Sequence, residues 1–225
     1  MNVKVAVVDS GIAPNHPHVV ETAAGISFVS GVTDTLDRIG HGTAVAAAIR
    51  EKAPNAELVP VKVFDRALKT DARALADAIR WAAEQECRLI NLSLGTANTD
   101  HNELLSAAVT FAGDRGALVV SAFESDGNRW LPGSMTGVVP VIGDDTPNRD
   151  RLIVDARDGQ FRFHASIYPR PMPGVPPERN LHGISFAVAN VTGMLCRYLE
   201  RESGYLPVAE IAARLSGPST SPTSA

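Results

Sequence analysis

"VKVAVVDSG", residues 3–11, is a short apolar run that ends in a polar turn sequence. Such a run is typical of a strand that is buried inside a parallel sheet and stops at a loop. A parallel sheet made of strands like this needs helices on both of its faces. The same form recurs in four further segments, at residues 57–64, 88–95, 117–123 and 137–144.

Helical patterns fill the intervals between these strands. Residues 40–54 are rich in Ala and end at a Pro, while residues 70–86 and 101–116 each place apolar residues on one helical face. Strands that alternate with helices indicate an α/β fold. We therefore predict a three-layer α/β sandwich around a mostly parallel central sheet, formed as one domain by residues 1–215.

Three later segments have their own signatures. Residues 150–164 predict a β-hairpin that turns at Asp158-Gly159. Residues 168–180 are rich in Pro, which lacks a backbone donor, so we expect a surface loop there. Residues 216–225 consist mainly of Ser, Thr and Pro, and this composition predicts a disordered tail.

Composition and charge exclude several function classes. The 225 residues carry a net charge of -4, which gives no electrostatic footprint for nucleic acid. No apolar run reaches the ~18 residues that span a bilayer, and the start of the chain has no secretion-signal pattern. We expect Cys87 and Cys196 to be buried, reduced thiols. These features favour a cytoplasmic protein without a membrane partner.

Three motifs contain residue types that together support nucleophilic catalysis. "VVDSGI" places Asp9 at a strand end, "GHGTAVAA" places His41 at a helix start, and "HGISFAVANVTG" places Ser185 at another helix start. An alcohol needs an imidazole as base, and the imidazole needs a carboxylate to fix its tautomer. Each motif alone also fits a structural role: a turn, a histidine bonded to backbone, and an N-cap serine.

The order Asp, His, Ser, with "NLSLG" between the second and third, resembles the subtilisin-like serine proteases (subtilases, peptidase family S8). The resemblance runs from Val3 to about Leu199. It implies that Asp9 is the orienting acid, His41 the general base, and Ser185 the nucleophile that forms an acyl-enzyme.

The same resemblance assigns substrate binding to the segment Ser93, Leu94 and Gly95. In the family this segment pairs with the backbone of an extended peptide beside the scissile bond, which is a form of β-augmentation. The implied partner is a peptide or protein substrate. No cofactor is implied.

The sequence departs from the family pattern at two places. Around the nucleophile the family has Gly-Thr-Ser-Met-Ala-x-Pro, whereas residues 183–189 read "GISFAVA", a change of packing more than of chemistry. The family also has a strand ending in Ala-Gly-Asn, whose Asn donates to the oxyanion, and here that strand reads "VVSAFESDGN". Direct counting puts Ser125 at the Asn position. A three-residue insertion would put Asn128 there, and we favour Asn128 because its amide is the same type of donor.

The S1 pocket, which receives the side chain before the cut, is expected to be unusual. Its floor should contain Ala122, Phe123 and Glu124, and strand alternation sends Phe123 and Glu124 to opposite faces. An intruding Phe123 predicts a shallow pocket for small residues, and an intruding Glu124 predicts a preference for Lys or Arg. The remaining alternative is that Glu124 points into solvent and has no effect on specificity.

We thus predict a serine endopeptidase, with maturation of one precursor peptide as a narrower version. The alternative is a catalytically impaired pseudoprotease that binds peptides. The oxygens of Glu124, Asp126, Asn128 and Asp145 do not match a known calcium-loop pattern, so no metal is predicted.

Overall fold

The computed structural model describes residues 2–176, 179–202 and 204–216. Eight strands in this part of the chain form one sheet, in the order β2-β3-β1-β4-β5-β8-β10-β9, and β6 pairs with β7 in a separate hairpin. The strands are β1 (Lys4–Asp9), β2 (Ile26–Ser27), β3 (Glu57–Lys62), β4 (Leu89–Leu92), β5 (Leu118–Ala122), β6 (Glu124–Ser125), β7 (Asn128–Arg129), β8 (Val138–Asp144), β9 (Ile153–Arg157) and β10 (Gln160–Ser166).

Helices cover both faces of the sheet. They are α1 (His41–Lys52), α2 (Ala72–Glu84), α3 (Asn102–Asp114), α4 (Ile184–Leu199) and α5 (Val208–Leu215). Along β1, Val5 and Val7 pack in the apolar cluster with α1, α4 and α5. Ala6 and Val8 pack in the cluster with α2 and α3. This alternation confirms the predicted three-layer α/β sandwich.

The sheet is parallel except at one edge, where β9 runs antiparallel to β10. The connection between these two strands is the predicted hairpin turn. Asp158 and Gly159 have φ angles of 53° and 72°, as a two-residue turn of this handedness requires. The hairpin prediction is therefore confirmed.

Residues 167–176 contain no helix or strand, as the Pro-rich sequence predicted. The predicted tail, residues 216–225, lies outside the described residues except for Ser216. None of the helices in the described ranges is long and apolar enough to cross a membrane.

The carboxyl ends of β1, β4 and β5 meet at one edge of the sheet, because these strands are neighbours and parallel. The first turns of α1 and α4 reach the same edge. These two helices pack closely against each other at Gly193. A Cβ atom on Gly193 would lie 2.8 Å from the Cβ atom of Lys52 and 3.0 Å from the carbonyl oxygen of Ile49. The absence of a side chain at Gly193 therefore sets the distance between α1 and α4.

Candidate active site

His41 and Asp9 form a direct contact at this edge. His41 is the first residue of α1 and Asp9 is the last residue of β1. The Nδ1 atom of His41 lies 2.8 Å and 2.9 Å from the two carboxylate oxygens of Asp9. The Asp9 side chain is fully buried, and that of His41 is 15% exposed. A carboxylate that accepts from Nδ1 fixes the ring tautomer and leaves Nε2 for proton transfer.

A close approach of backbone to backbone makes this contact possible. A Cβ atom on Gly42 would lie 2.2 Å from the carbonyl oxygen of Gly11, which is too close for any side chain. Gly42 thus lets the first turn of α1 rest on the turn that follows β1. Close packing therefore explains why a glycine follows the histidine in "GHG".

The pKa of His41 is raised above its ordinary value of 6.5. Burial acts to lower this pKa, since it disfavours the imidazolium. The hydrogen bond and the negative charge of Asp9 act in the opposite direction and outweigh burial, with a contribution from the charge of Asp37. The site therefore stabilises a positive charge on His41.

Ser185 is the second residue of α4. The helix is preceded by Gly183, whose φ of 147° and ψ of 173° belong to a backbone region that only glycine occupies readily. The Oγ atom of Ser185 donates to the carbonyl oxygen of Ser93 at 3.1 Å, and the Oγ atom of Ser93 donates to the carbonyl oxygen of Ser185 at 3.2 Å. Within the described ranges, no hydrogen bond joins Ser185 to His41.

His41 and Ser185 nevertheless line the same cavity of about 370 Å³, which we call the substrate cavity. The three residues predicted to pair with substrate, Ser93, Leu94 and Gly95, line it as well. The structure thus brings the predicted base, the predicted nucleophile and the predicted backbone-binding residues to one cavity. The other lining residues are Phe64, Leu68, Lys69, Thr70, Ala122, Trp130, Ile184 and Val188.

Phe123 and Glu124 do not line the substrate cavity. Phe123 is 2% exposed, and its ring lies under the guanidinium of Arg162, with 4.4 Å between Cζ and the ring centre. It borders a separate cavity of about 350 Å³. Glu124 is exposed and borders another cavity, described below. Contrary to two of the three alternatives, neither residue forms part of this cavity, and the exposed Glu124 fits the third, in which it points into solvent.

The physical reason is the end of β5 at Ala122. The strand alternation used for the expectation stops there, because the chain turns into the hairpin of β6 and β7. The returning arm places Trp130 beside β5, where its backbone N–H donates to the carbonyl oxygen of Phe123 at 3.0 Å. Ala122 lines the substrate cavity as expected, and Trp130 stands in its wall where Phe123 and Glu124 were expected.

The two candidate oxyanion donors, Ser125 and Asn128, lie in different surroundings. Ser125 lines a cavity of about 690 Å³ that Ser185, Gly183 and Glu124 also border. Asn128 is exposed and is not among the residues that line this cavity. Its side-chain amide donates to the carbonyl oxygen of Asp126 at 3.3 Å. The Ser125 hydroxyl likewise donates to the Asp126 carboxylate, at 2.8 Å. The cavity that Ser125 shares with Ser185 favours Ser125 over Asn128, contrary to the preference drawn from the sequence.

Much of the cavity wall, including Trp130, was missed from the sequence, and so was Asp37 beside the catalytic pair. Trp130 lies only a few residues beyond the predicted pocket residues Phe123 and Glu124, but no periodic pattern indicates that it reaches the cavity wall. Asp37 does have a recognisable sequence signal, because an acid just before a helix often caps the first turn. In the structure Asp37 accepts from the backbone N–H groups of Gly40 and Thr43 at 2.8 Å and 2.9 Å.

Comparisons with known proteins identify the family of this chain. The model of the subtilase family matches residues 1–140. The alkaline protease of Alkalihalobacillus alcalophilus is 39% identical over 203 residues, which cover 85% of this chain and 50% of that protein. Thermitase of Thermoactinomyces vulgaris is 35% identical over 211 residues, which cover 85% of this chain and 72% of that protein. The minor extracellular protease Epr of Bacillus subtilis is 34% identical over 160 residues, which cover 66% of this chain but only 24% of Epr.

Solved structures share the fold. A cold adapted subtilisin-like serine proteinase superposes with a TM-score of 0.73 at 22% identity, covering 95% of this chain and 81% of that one. A lanthipeptide protease gives a TM-score of 0.72 at 21% identity, covering 94% of this chain and 78% of that one. Together with the family match and the identities above, these findings show that the chain belongs to the subtilase family.

Proposed function

We propose that this chain is a serine endopeptidase that uses Asp9, His41 and Ser185 as its catalytic residues. The observation that carries the proposal is the contact between His41 and the buried carboxylate of Asp9, at a cavity that Ser185 also lines. A buried acid that orients a histidine next to a helix-start serine is the arrangement that activates an alcohol.

The proposed reaction has two stages. In the first, the Oγ atom of Ser185 attacks the scissile carbonyl carbon while Nε2 of His41 takes the hydroxyl proton. His41 then gives this proton to the leaving amine, and an acyl-enzyme remains. In the second stage, water attacks the acyl carbon, His41 accepts a proton from it, and Ser185 regains its hydroxyl. Asp9 stays ionised and stabilises the imidazolium in both stages.

The proposed substrate is an extended segment of a peptide or protein. Leu94 and Gly95 follow β4 outside any strand, and no backbone hydrogen bonds to them are made within the described residues. Their N–H and C=O groups are therefore free to pair with a substrate backbone in the manner of an added strand.

A second candidate function is a pseudoprotease that binds peptides without cleaving them. Two observations favour it. The hydroxyl of Ser185 is bonded to Ser93 instead of His41, and the residue that direct counting aligns with the family's oxyanion Asn is Ser125, which has no side-chain amide. The loss of one oxyanion donor costs roughly 10²–10³ in turnover in comparable enzymes.

A fluorophosphonate probe separates the two candidates, because it reacts with a serine hydroxyl only when a base assists. We expect mass spectrometry to find the label on Ser185 and the label to be lost in His41→Ala. His101→Ala, which changes a histidine outside the site, serves as the control and should label like wild type. Absence of labelling in folded wild-type protein would support the pseudoprotease, and equal labelling of wild type and His41→Ala would contradict the triad.

Kinetics give a second check on the triad. Ser185→Ala and His41→Ala should each remove nearly all turnover, and the double variant should be no worse than either, because the residues act as a unit. Losses that multiply in the double variant would show that the two residues act independently.

We further propose that the protein works in the cytoplasm on one or a few precursor peptides. Cys87 and Cys196 are both free and buried, which suits a reducing compartment. Phe64 and Trp130 place large rings in the wall of the substrate cavity, which suits a restricted set of side chains. A peptide library tests the narrow specificity. Comparable cleavage of many unrelated sequences would contradict it.

A further inference from the structure

The loop before α1 contains a carboxylate with an unusually complete set of donors. The Oδ1 atom of Asp37 accepts from the Oγ atom of Ser10 at 2.8 Å and from the backbone N–H groups of Ile39 and Gly40 at 2.9 Å and 2.8 Å. Its Oδ2 atom accepts from the backbone N–H and the hydroxyl of Thr43 at 2.9 Å and 2.6 Å. Each carboxylate oxygen of Asp37 thus accepts at least two hydrogen bonds.

Ser10 links Asp37 to the acid of the catalytic pair. The backbone N–H of Ser10 donates to the carboxylate of Asp9 at 2.7 Å. The hydroxyl of Ser10 donates to Asp37 and accepts from the backbone N–H of Gly42 at 2.9 Å. Ser10 is fully buried, so this connection is shielded from water.

Thr43 links Asp37 to the base. It lies on the first turn of α1, two residues after His41, and is 5% exposed. Its hydroxyl donates to Asp37 and accepts from the backbone N–H of Ala13, in the turn beyond β1, at 2.9 Å. Asp37 is therefore bonded both to the strand end that carries the acid and to the helix start that carries the base.

We propose that Asp37 is a positioning residue for catalysis, whose carboxylate fixes, through Ser10 and Thr43, the placement of His41 against Asp9. The proposal deepens the proposed function and rests on it where turnover is concerned. Asp37 does not touch the substrate cavity, so its role is exerted through other residues.

The charge of Asp37 provides a second, electrostatic route to His41. Burial acts to raise the pKa of Asp37, but its hydrogen bonds from Thr43, Gly40 and Ile39 outweigh burial and hold the pKa below the ordinary range. The carboxylate is therefore ionised at neutral pH. Its charge contributes to the raised pKa of His41.

Other groups surround His41 as well. Asp9 contacts it from β1, and the ring of Phe186 from α4 lies 5.8 Å from the imidazole centre. The buried ammonium of Lys62 on β3 donates to the carbonyl oxygen of Ser10 at 2.8 Å and pairs with Asp65 at 3.3 Å. Lys69 lines the substrate cavity. An Asp37 variant leaves all of these groups in place.

The test is an NMR titration of the His41 imidazole in wild type and in Asp37→Asn, with the resonance assigned by its absence in His41→Ala. We expect a lower His41 pKa in Asp37→Asn, because one negative charge is removed. Asp34→Asn is the matched control. Asp34 lies in the same loop, half exposed and paired with Arg38, and makes no contact with α1, so the His41 pKa should stay at its wild-type value.

A second variant separates charge from geometry. Thr43→Val removes the hydroxyl that Asp37 accepts from and keeps the Asp37 charge. We expect Thr43→Val to lower kcat by about tenfold to a hundredfold, as small displacements of catalytic groups do, while KM and the pH dependence change little. Asp37→Asn should lower kcat and also move the acid side of the pH profile to lower pH.

The outcomes are distinguishable. A His41 pKa that is equal in wild type and Asp37→Asn, together with unchanged kcat in folded Thr43→Val, would overturn the positioning role. If Asp37→Asn does not fold, Thr43→Val and Ser10→Ala each break one attachment, and unchanged kcat in both would overturn it. If wild type is not labelled by the fluorophosphonate, the proposed function fails, whereas the NMR comparison still decides whether Asp37 acts on His41.

Discussion

Ser185 and Ser93 exchange hydrogen bonds: each hydroxyl donates to the other residue's carbonyl oxygen, at 3.1 Å and 3.2 Å. The Ser185 hydroxyl proton that the proposed reaction requires is therefore directed at the Ser93 carbonyl oxygen and not at His41. A rotation about one side-chain bond redirects it, and such rotations are fast compared with turnover. We expect a substrate backbone N–H that pairs with the Ser93 carbonyl to displace the Ser185 hydroxyl and free it for His41.

The raised pKa of His41 predicts the pH dependence of the reaction. Protonated His41 cannot accept the Ser185 proton, so kcat/KM should rise with pH through a midpoint above 6.5, the ordinary value for histidine. Asp9→Asn should lower kcat by about 10⁴-fold, since the ring tautomer is no longer fixed. Asp155→Asn, which instead removes an acid 3.3 Å from His164, is the control and should leave the profile unchanged. A wild-type midpoint below 6.5 would contradict the electrostatics of the site.

Ser125 and Asn128 make opposite predictions for the oxyanion. Because Ser125 shares a cavity with Ser185 and Asn128 does not, Ser125→Ala should lower kcat by roughly 10²-fold with little change in KM. Asn128→Ala should be as fast as wild type. Ser125→Asn, which supplies the amide that the family uses, should raise kcat. Steady-state kinetics of the three variants decide the point, and a slow Asn128→Ala enzyme would return the role to Asn128.

Trp130 is expected to limit the size of the residue before the cut. The indole forms part of the substrate cavity wall, so we expect wild type to favour small residues such as Ala, Ser and Gly at that position. Trp130→Ala should shift the ratio of kcat/KM for a large over a small side chain by about tenfold or more. Glu124→Ala, outside this cavity, should leave the ratio unchanged. A library profile in which wild type already prefers large residues would refute the assignment.

The two cysteines should behave as inert thiols. Burial raises the pKa of both Cys87 and Cys196 to about 12, so almost no thiolate forms at neutral pH. We expect slow alkylation by iodoacetamide in the folded protein and fast alkylation after unfolding. The mass without reductant should be that of the fully reduced chain. A disulfide between Cys87 and Cys196 would lower the mass by the two thiol hydrogens. That lower mass, together with a loss of stability when the disulfide is reduced, would contradict this prediction.

Periodicity in the sequence was sufficient to predict the main strands, the helices and their arrangement in layers. Buried parallel strands such as β1 and amphipathic helices such as α2 carry that information locally. Asp9 was predicted at a strand end and Ser93 lies near the end of the strand segment predicted at residues 88–95, and parallel strands deliver their carboxyl ends to one edge. The structure places both residues there.

The walls of the substrate cavity could not be predicted in this way. They depend on where the chain leaves the sheet, and the rule that placed Phe123 and Glu124 fails after Ala122, where β5 ends. Trp130 then reaches the cavity through a hairpin whose path no periodic pattern encodes. Element boundaries of this kind are the least reliable part of sequence interpretation.

The close packing at Gly193 couples the two helices that carry His41 and Ser185. Since α1 and α4 share the apolar cluster on one face of the sheet, the base and the nucleophile can move apart only if that cluster opens. We therefore expect the two helices to keep their relative placement during the reaction cycle. On heating, inactivation should coincide with loss of the tertiary fold, without an earlier phase in which a folded but inactive enzyme accumulates.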